Sequence, residues 1–431
     1  MESRNKLFYG WVIVGIAFLI MSVTYAVWYS FPFFYVSILE EFRWSRAGAA
    51  LIYSIGSVVY GFGSFVGGAV LDRFGPKKSF AFSTVLLAVG LIGCSRATEI
   101  WHFFLFWGGL TSLGIAMVGF VPCVALVSGW FDRKRATAIG IAQAGGRESF
   151  IVQPIIQTLI LSFGWRNTYL WLTAAVVVLI ALPAQFLKRS PKEMGLSTDG
   201  EKTTPANKKT NIRQTKRVVV DKQWADTDWT LQRGLKEYRC WALLVMLLLS
   251  SAAFGIIMIH QVVFVVDIGF SKMFASYLVL IFGISSMLGR LCGFLSDMVG
   301  RERAYTLGGV GVIFGLVMLI FVQDVSHAWM LYVYSVCFGF FSGLNTPTYA
   351  STAADMFEGR HFGAILGFIN IGFGLGNALG AWFGGYIFDM FQSYTIAFFA
   401  AIIVMGLACG FIWIAAPGKV RRMQVSDTVS A

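Results

Sequence analysis

Apolar residues run through the chain in long blocks, and short polar stretches divide them. A helix that crosses a hydrocarbon layer of ~30 Å needs about 20 such residues. Twelve blocks meet or approach that length: 11–35, 47–71, 79–94, 101–130, 136–162, 168–187, 241–266, 274–298, 305–322, 329–352, 363–388 and 394–416. Between the sixth and seventh lies 188–239, basic and rich in Thr and Lys. It shows no apolar periodicity, which predicts a solvated linker without a core and, at most, a short amphipathic segment near 224–235. The pattern predicts an all-α membrane protein with a six-helix bundle at 1–187, the linker at 188–239, a second bundle at 240–418 and a tail at 419–431.

Composition agrees. The chain is 57% hydrophobic and 13% charged, about half the charge of a soluble domain. The net charge of +12 invites a nucleic-acid partner, but its distribution points to membrane topology. With both termini in the cytoplasm, 27 Lys and Arg fall in the inner segments and 5 in the outer loops, the bias of the positive-inside rule. The first block is too long for a signal-peptide core and no small-residue cleavage site follows it, so no cleavable leader is expected. The six cysteines lie in or beside apolar blocks without metal-ligand spacing, and read as small buried hydrophobes. No phosphate-binding loop, metal cluster or nucleophile triad appears, so neither enzyme activity nor a cofactor is expected. The expected setting is a bacterial cytoplasmic (inner) membrane.

The two halves repeat. Gly68-Ala-Val-Leu-Asp72-Arg73-Phe-Gly75-Pro-Lys77-Lys78 follows the second span, and Gly293-Phe-Leu-Ser-Asp297-Met-Val-Gly300-Arg301-Glu-Arg303 follows the eighth, 225 residues on. Phe163-Gly-Trp-Arg-Asn-Thr-Tyr opens the sixth span and Phe391-Gln-Ser-Tyr-Thr-Ile-Ala opens the twelfth. Duplicated six-helix halves mark secondary transporters. The repeated Gly–Asp–Gly stretch resembles the signature loop of the major facilitator superfamily, which implies that fold. Within the superfamily, Phe8-Tyr9-Gly10-Trp11, Gly129-Trp130-Phe131 before Arg133-Lys134-Arg135, and an arginine in the eighth span resemble the monocarboxylate transporter and oxalate/formate antiporter group.

Charges at the repeated loops (Asp72, Arg73, Lys77 and Lys78; Asp297, Arg301 and Arg303) are candidates to hold an inner gate; anchoring of topology is the plainer alternative. Arg290 lies about eight residues inside the eighth span, roughly 12 Å deep. An arginine cannot be neutralised and costs about 2.5–3.5 kcal/mol in hydrocarbon on insertion scales, so it calls for water, a partner charge or an anion. Its planar fork fits a carboxylate, and the resemblance implies that Arg290 binds the substrate's carboxylate. Arg147 and Glu148 lie at similar depth in the fifth span, where the family has small residues. Glu148 is read as a neutralising partner of Arg147 or Arg290, or as a proton-coupling carboxylate; Arg147 is read as a second anion ligand.

The resemblance also exposes absences. The lysine that oxalate transporters carry in the eleventh span is missing here, and Ser286 stands where animal monocarboxylate carriers have a carboxylate. His260, with Gln261 near the outer end of the seventh span, is a second proton-coupling candidate; a satisfied polar residue is the alternative. Tyr25, Trp28, Tyr29, Phe120, Gln143, Gln153, Asn345 and Asn370 are candidate cavity residues, with packing as the plainer role. The expected function is secondary active transport of a small organic anion, a monocarboxylate first, with proton coupling or counter-anion exchange, by a functional monomer. A dicarboxylate or organophosphate antiporter and a transporter-like anion sensor are the alternatives.

Overall fold

The structure is a computed structural model that describes residues 8–131, 135–198, 217–225, 227, 229–357 and 362–423. Arg133, Lys134, Arg360 and His361 lie outside the described residues, as do the side chains of Asp72, Arg135 and Arg147. The chain packs as two compact units, Met1–Ala206 and Asn207–Ala431, and their boundary falls inside the stretch expected to link them.

The first unit contains α1 (Tyr9–Phe42), then the run Arg46–Ser95, which is two helices, α2 (46–74) and α3 (76–95), broken at Gly75. Next come α4 (Ile100–Ser128), α5 (135–163) and α6 (165–184). The second unit contains α7 (Tyr238–Asp267), α8 (Lys272–Leu291), α9 (Arg301–Phe321), α10 (Ala328–Met356), α11 (Phe362–Phe391) and α12 (Thr395–Ala415). Ten stretches among the described residues are long and apolar enough to cross a membrane. The two that fall short are α5, which is interrupted, and α10, which carries polar residues such as Asn345 and Asp355.

The repeat is written into the backbone as well as the sequence. Gly75 (φ 77, ψ 168) and Gly300 (φ 93, ψ 153) share a conformation that is open in practice to glycine alone. Each turns the chain from one span into the next. A methyl at either would meet nothing within 4 Å, so the backbone angle and not crowding requires the glycine. Gly164 (φ 77) and Gln392 (φ 53) make the matching turns before α6 and α12. Arg43 (φ 53) and Gly269 (φ 108) end α1 and α7, and two residues later Ser45 and Ser271 cap α2 and α8 through Gly48 N–H and Phe274 N–H. The sequence reading missed this third echo, Arg-Trp-Ser-Arg at 43–46 against Gly-Phe-Ser-Lys at 269–272.

The membrane fold is all-α, as expected, and one finer expectation is corrected. The fifth span is not one helix: Arg135–Glu148 ends, Ser149–Val152 are turns, and helix resumes at Gln153. Pro154 is the cause, because it has no N–H for the Phe150 carbonyl and its ring crowds that oxygen. Gln153 repairs the gap, its side-chain amide donating to Ser149 O (2.9 Å) and Ala26 O (3.3 Å), as a break in a membrane span requires. In the linker, within the 224–235 stretch read as a candidate amphipathic segment, Trp229 is buried and packs with Trp224 on Phe357. Two indoles bring enough apolar area to dock without periodicity. Outside the spans, the short strand β1 (Arg217–Val219) pairs antiparallel with β2 (Arg421–Met423), joining linker to tail.

Candidate functional site

Three residues of the second unit form a polar group within its helices. Arg290 is half-buried near the end of α8, just before the helix tightens into a 3₁₀ turn at Cys292–Phe294. The packing of α10 on α8, with Pro347 at Gly293, brings the Tyr349 hydroxyl of α10 to the same part of the unit. That hydroxyl donates to Asn370 Oδ1 on α11 at 3.2 Å, and Asn370 Nδ2 donates to Leu366 O at 2.9 Å. A guanidinium, a phenol and a carboxamide from three helices thus converge, an array of donors suited to a carboxylate. Arg290 and Asn370 were expected from the sequence. Tyr349, which joins them, was missed, although its place two residues after the helix-interior Pro347 was a signal.

A seam of small residues sets this geometry. A methyl on Gly289 would lie 2.7 Å from the carbonyl carbon of Phe340, and one on Gly339 would lie 3.0 Å from Ser285 Cβ. On Gly293 it would meet Pro347 Cγ at 2.8 Å. Glycines therefore let α8 and α10 approach backbone to backbone, directly beside Arg290 and Tyr349.

Other candidates sit elsewhere. Asn345 is buried against α9, where a methyl on Gly308 would collide with its carboxamide; its Oδ1 has no hydrogen-bond partner among the described residues. His260 is fully buried, not at a helix end: α7 continues to Asp267. Its Nε2 donates to Ala381 O (2.8 Å) and its Nδ1 pairs with Tyr394 OH (3.1 Å). Both ring nitrogens are thus engaged, the arrangement of a satisfied structural histidine. Gln261 Oε1 accepts from Tyr334 OH at 2.8 Å.

In the first unit, the break in α5 adjoins an aromatic group on α1. Tyr29 stacks on Phe150 (4.3 Å between centroids) and on Tyr25 (5.8 Å), and the Tyr25 and Tyr60 hydroxyls are 2.9 Å apart. Gly145 and Gly146 let α5 meet the Phe18 backbone and the Tyr25 ring, so the glycines before Arg147 serve packing. Glu148 is exposed at the last turn before the break and Gln143 is half-buried. Phe120 is exposed where α4 restarts after a non-helical Gly119. Trp28 belongs to the core: its Nε1 donates to Tyr53 OH (3.0 Å) and its ring packs among Tyr53, Tyr60 and Trp107.

The repeated loops define one end of each unit, here the motif end. In the second unit Arg301 is buried there; its Nε donates to Asp355 Oδ2 and its Nη2 to Asp297 Oδ1, each at 2.8 Å, and Nη1 reaches Ser296 Oγ. Asp355, in the last turn of α10, was not anticipated. Arg303 is exposed. In the first unit Arg73, Lys77 and Lys78 are exposed, with Arg73 over the Phe74 ring. Among the described residues, aromatics pack at its motif end. Phe8 packs on Trp130 (6.0 Å) and Phe131 (5.5 Å), Tyr9 on Trp130 (5.7 Å) and Trp11 on Phe131 (4.9 Å). Two short motifs some 120 residues apart thereby meet.

Long apolar helices in two units with matched turns, and an arginine held among them, define a polytopic membrane transporter. The sequence matches the profile of the Major Facilitator Superfamily over residues 16–355 and 291–427. The chain belongs to that superfamily. It is 29% identical to monocarboxylate transporter 13 of Rattus norvegicus, covering 91% of this chain and 86% of that one. It is 27% identical to monocarboxylate transporter 12 of Homo sapiens, covering 94% and 78%. The expected likeness to the monocarboxylate group is met, and these relatives are transporters, not enzymes. Among solved structures, a bacterial homologue of the human lysosomal transporter Spinster superposes with a TM-score of 0.72 at 14% identity, covering 97% and 98% of the two chains. A point mutant of the nucleoside transporter NupG superposes with 0.68 at 15%, covering 94% and 98%. At those identities the likeness is one of fold.

Proposed function

We propose that the protein is a secondary active transporter of a small organic anion, a monocarboxylate in preference to a dicarboxylate, working by alternating access with proton coupling or anion exchange. The observation that carries this is a half-buried arginine, Arg290, near the end of α8, on the helix that packs against α10, whose Tyr349 hydroxyl is oriented by Asn370 of α11. A carboxylate takes two parallel N–H bonds from the guanidinium, and in this reading the Tyr349 hydroxyl turns from Asn370 to the same anion. The preference for one carboxylate rests on α11, which has no Lys or Arg between Phe362 and Phe391 and offers Asn370 instead. Named monocarboxylate transporters among the relatives support the class. The distribution of Lys and Arg supports a cytoplasmic motif end with both termini on that side.

The test is uptake of pyruvate, lactate, benzoate and oxalate into proteoliposomes. Monocarboxylate uptake is expected, and Arg290→Ala should abolish it while the protein remains folded and inserted. Uptake that survives Arg290→Ala overturns the site. Binding without uptake would favour an anion sensor.

A further inference from the structure

The Arg301–Asp355 pair joins the start of α9 to the end of α10, and the residue next to each partner is held from outside the helices. Beside Asp355, the Met356 carbonyl accepts from Trp224 Nε1 at 2.6 Å. This is one of the last carbonyls of α10, which the helix cannot satisfy itself. Beside Arg301, the Glu302 carboxylate accepts from Gly418 N–H at 2.6 Å. Trp224 and Gly418 belong to segments that join each other: β1 ends three residues before Lys222, the start of the helical turn that carries Trp224, and β2 starts three residues after Gly418. Val220 N–H and Asp221 N–H both donate to Val420 O at 2.9 and 3.3 Å.

The indole is itself firmly seated. Trp224 lies 4.4 Å from the Trp229 ring, with Arg239 4.5 Å over its face. Trp229 packs edge-on against Phe357 at 5.2 Å, and its Nε1 donates to Trp224 O at 3.1 Å. Asp221 Oδ1 accepts from Trp224 N–H at 2.9 Å. Linker and tail together therefore form a clasp that straddles the ion pair.

We infer that this clasp, through Trp224 on one side and Glu302–Gly418 on the other, positions the Arg301–Asp355 ion pair, and that Trp224 is a positioning residue of the motif end. The gate role of that end belongs to the transporter reading; the positioning does not depend on it.

Hydrogen exchange in the purified full chain separates the two. The Ala304 amide, bonded to Gly300 O at 3.0 Å, reports the first turn of α9; the Trp224 Nε1 donor bears on it through Met356 O, Asp355 and Arg301. Trp224→Phe keeps the stacked ring and removes the donor. Exchange at Ala304 should rise about 3- to 10-fold, the effect of losing one hydrogen bond. In an Asp355→Asn background the same substitution should add less than about 1.5-fold, because the route is already cut. Equal effects in both backgrounds, or none in either, overturn the inference. Should Trp224→Phe fail to insert, a chain ended at Val420, without β2, is read the same way. Pyruvate uptake by Asp355→Asn then judges the gate alone: unchanged uptake removes the gate reading and leaves the positioning result standing.

Discussion

Gly289→Ala tests whether the α8–α10 seam sets the anion site. The added methyl would sit 2.7 Å from the Phe340 carbonyl carbon and 3.1 Å from Leu344 N, against ordinary contact at about 3.5–4 Å. Both obstacles are backbone, so no side chain can turn aside and the helices must part by roughly 1 Å. Overpacking of this kind costs about 1–3 kcal/mol. The functional penalty is larger, because Arg290 is the next residue on α8 and Tyr349 lies on the helix being pushed away. A displacement of ~1 Å in a positioned constellation can cost about 100-fold in rate. The assay is monocarboxylate uptake in proteoliposomes beside a thermal melt in detergent. The protein should insert, melt a few degrees lower, and lose roughly 10- to 100-fold in uptake. Gly406→Ala in α12 is the control, since its methyl meets nothing within 4 Å; it should keep full uptake. Normal uptake by Gly289→Ala, or equal damage by Gly406→Ala, would refute the reasoning.

The remaining expectations concern proton coupling. His260→Ala leaves Tyr394 OH and Ala381 O without their ring partner and should lower stability by about 1–3 kcal/mol; the pH profile of uptake should keep its shape, and a flattened profile would restore His260 as a coupling residue. Glu148, exposed at the α5 break, is the other coupling candidate: Glu148→Gln should flatten the pH dependence of uptake. Transport still driven by a pH gradient in that variant would assign the coupling elsewhere.

The span count and the repeat were legible because hydrophobic blocks and the Gly–Asp–Gly spacing are one-dimensional signals. Gly75 and Gly300 show it best: one spacing in the sequence became one backbone turn in each unit. Arg290 was legible for a related reason, since a cation in an apolar run stands out by composition. What it touches was not, because Tyr349 looks like any aromatic in a span until the glycine seam brings α10 beside α8. His260 and Trp28 were ambiguous for the opposite reason. A polar or amphipathic side chain at helical spacing reads the same whether it faces a cavity or finds partners in a core, and both found partners. The break in α5 could have been read from Pro154. The segment of Trp224 and Trp229 was legible as amphipathic, but its target, Phe357, was not, because it is more than a hundred residues away.

The two motif ends show that sequence repetition and physical repetition have parted. Pro76 occupies the position of Arg301, and Gly129 that of Asp355, at offsets of 225 and 226, so neither position carries a charge in the first unit. Pro76 suits the first turn of α3, where its missing N–H would have had no partner. The job of tying the ends of α4 to neighbouring chain falls there to Phe8, Tyr9, Trp130 and Phe131, helped by Trp130 Nε1 on Lys188 O and Tyr9 OH on Phe186 O. The second unit has an aromatic counterpart in Trp224, Trp229 and Phe357, and adds the charges to it. Among the described residues, the contacts at the first unit's motif end are thus aromatic packing and two hydrogen bonds to backbone carbonyls. A buried ion pair is weak evidence of added stability, since apolar groups of similar shape often replace one at no cost, whereas loss of one partner costs about 3–5 kcal/mol. The charges at Arg301 and Asp355 are thus better explained by a specific register of α9 on α10 than by the strength of their attraction, and a clasp that fixes the residue beside each partner is what such a register requires.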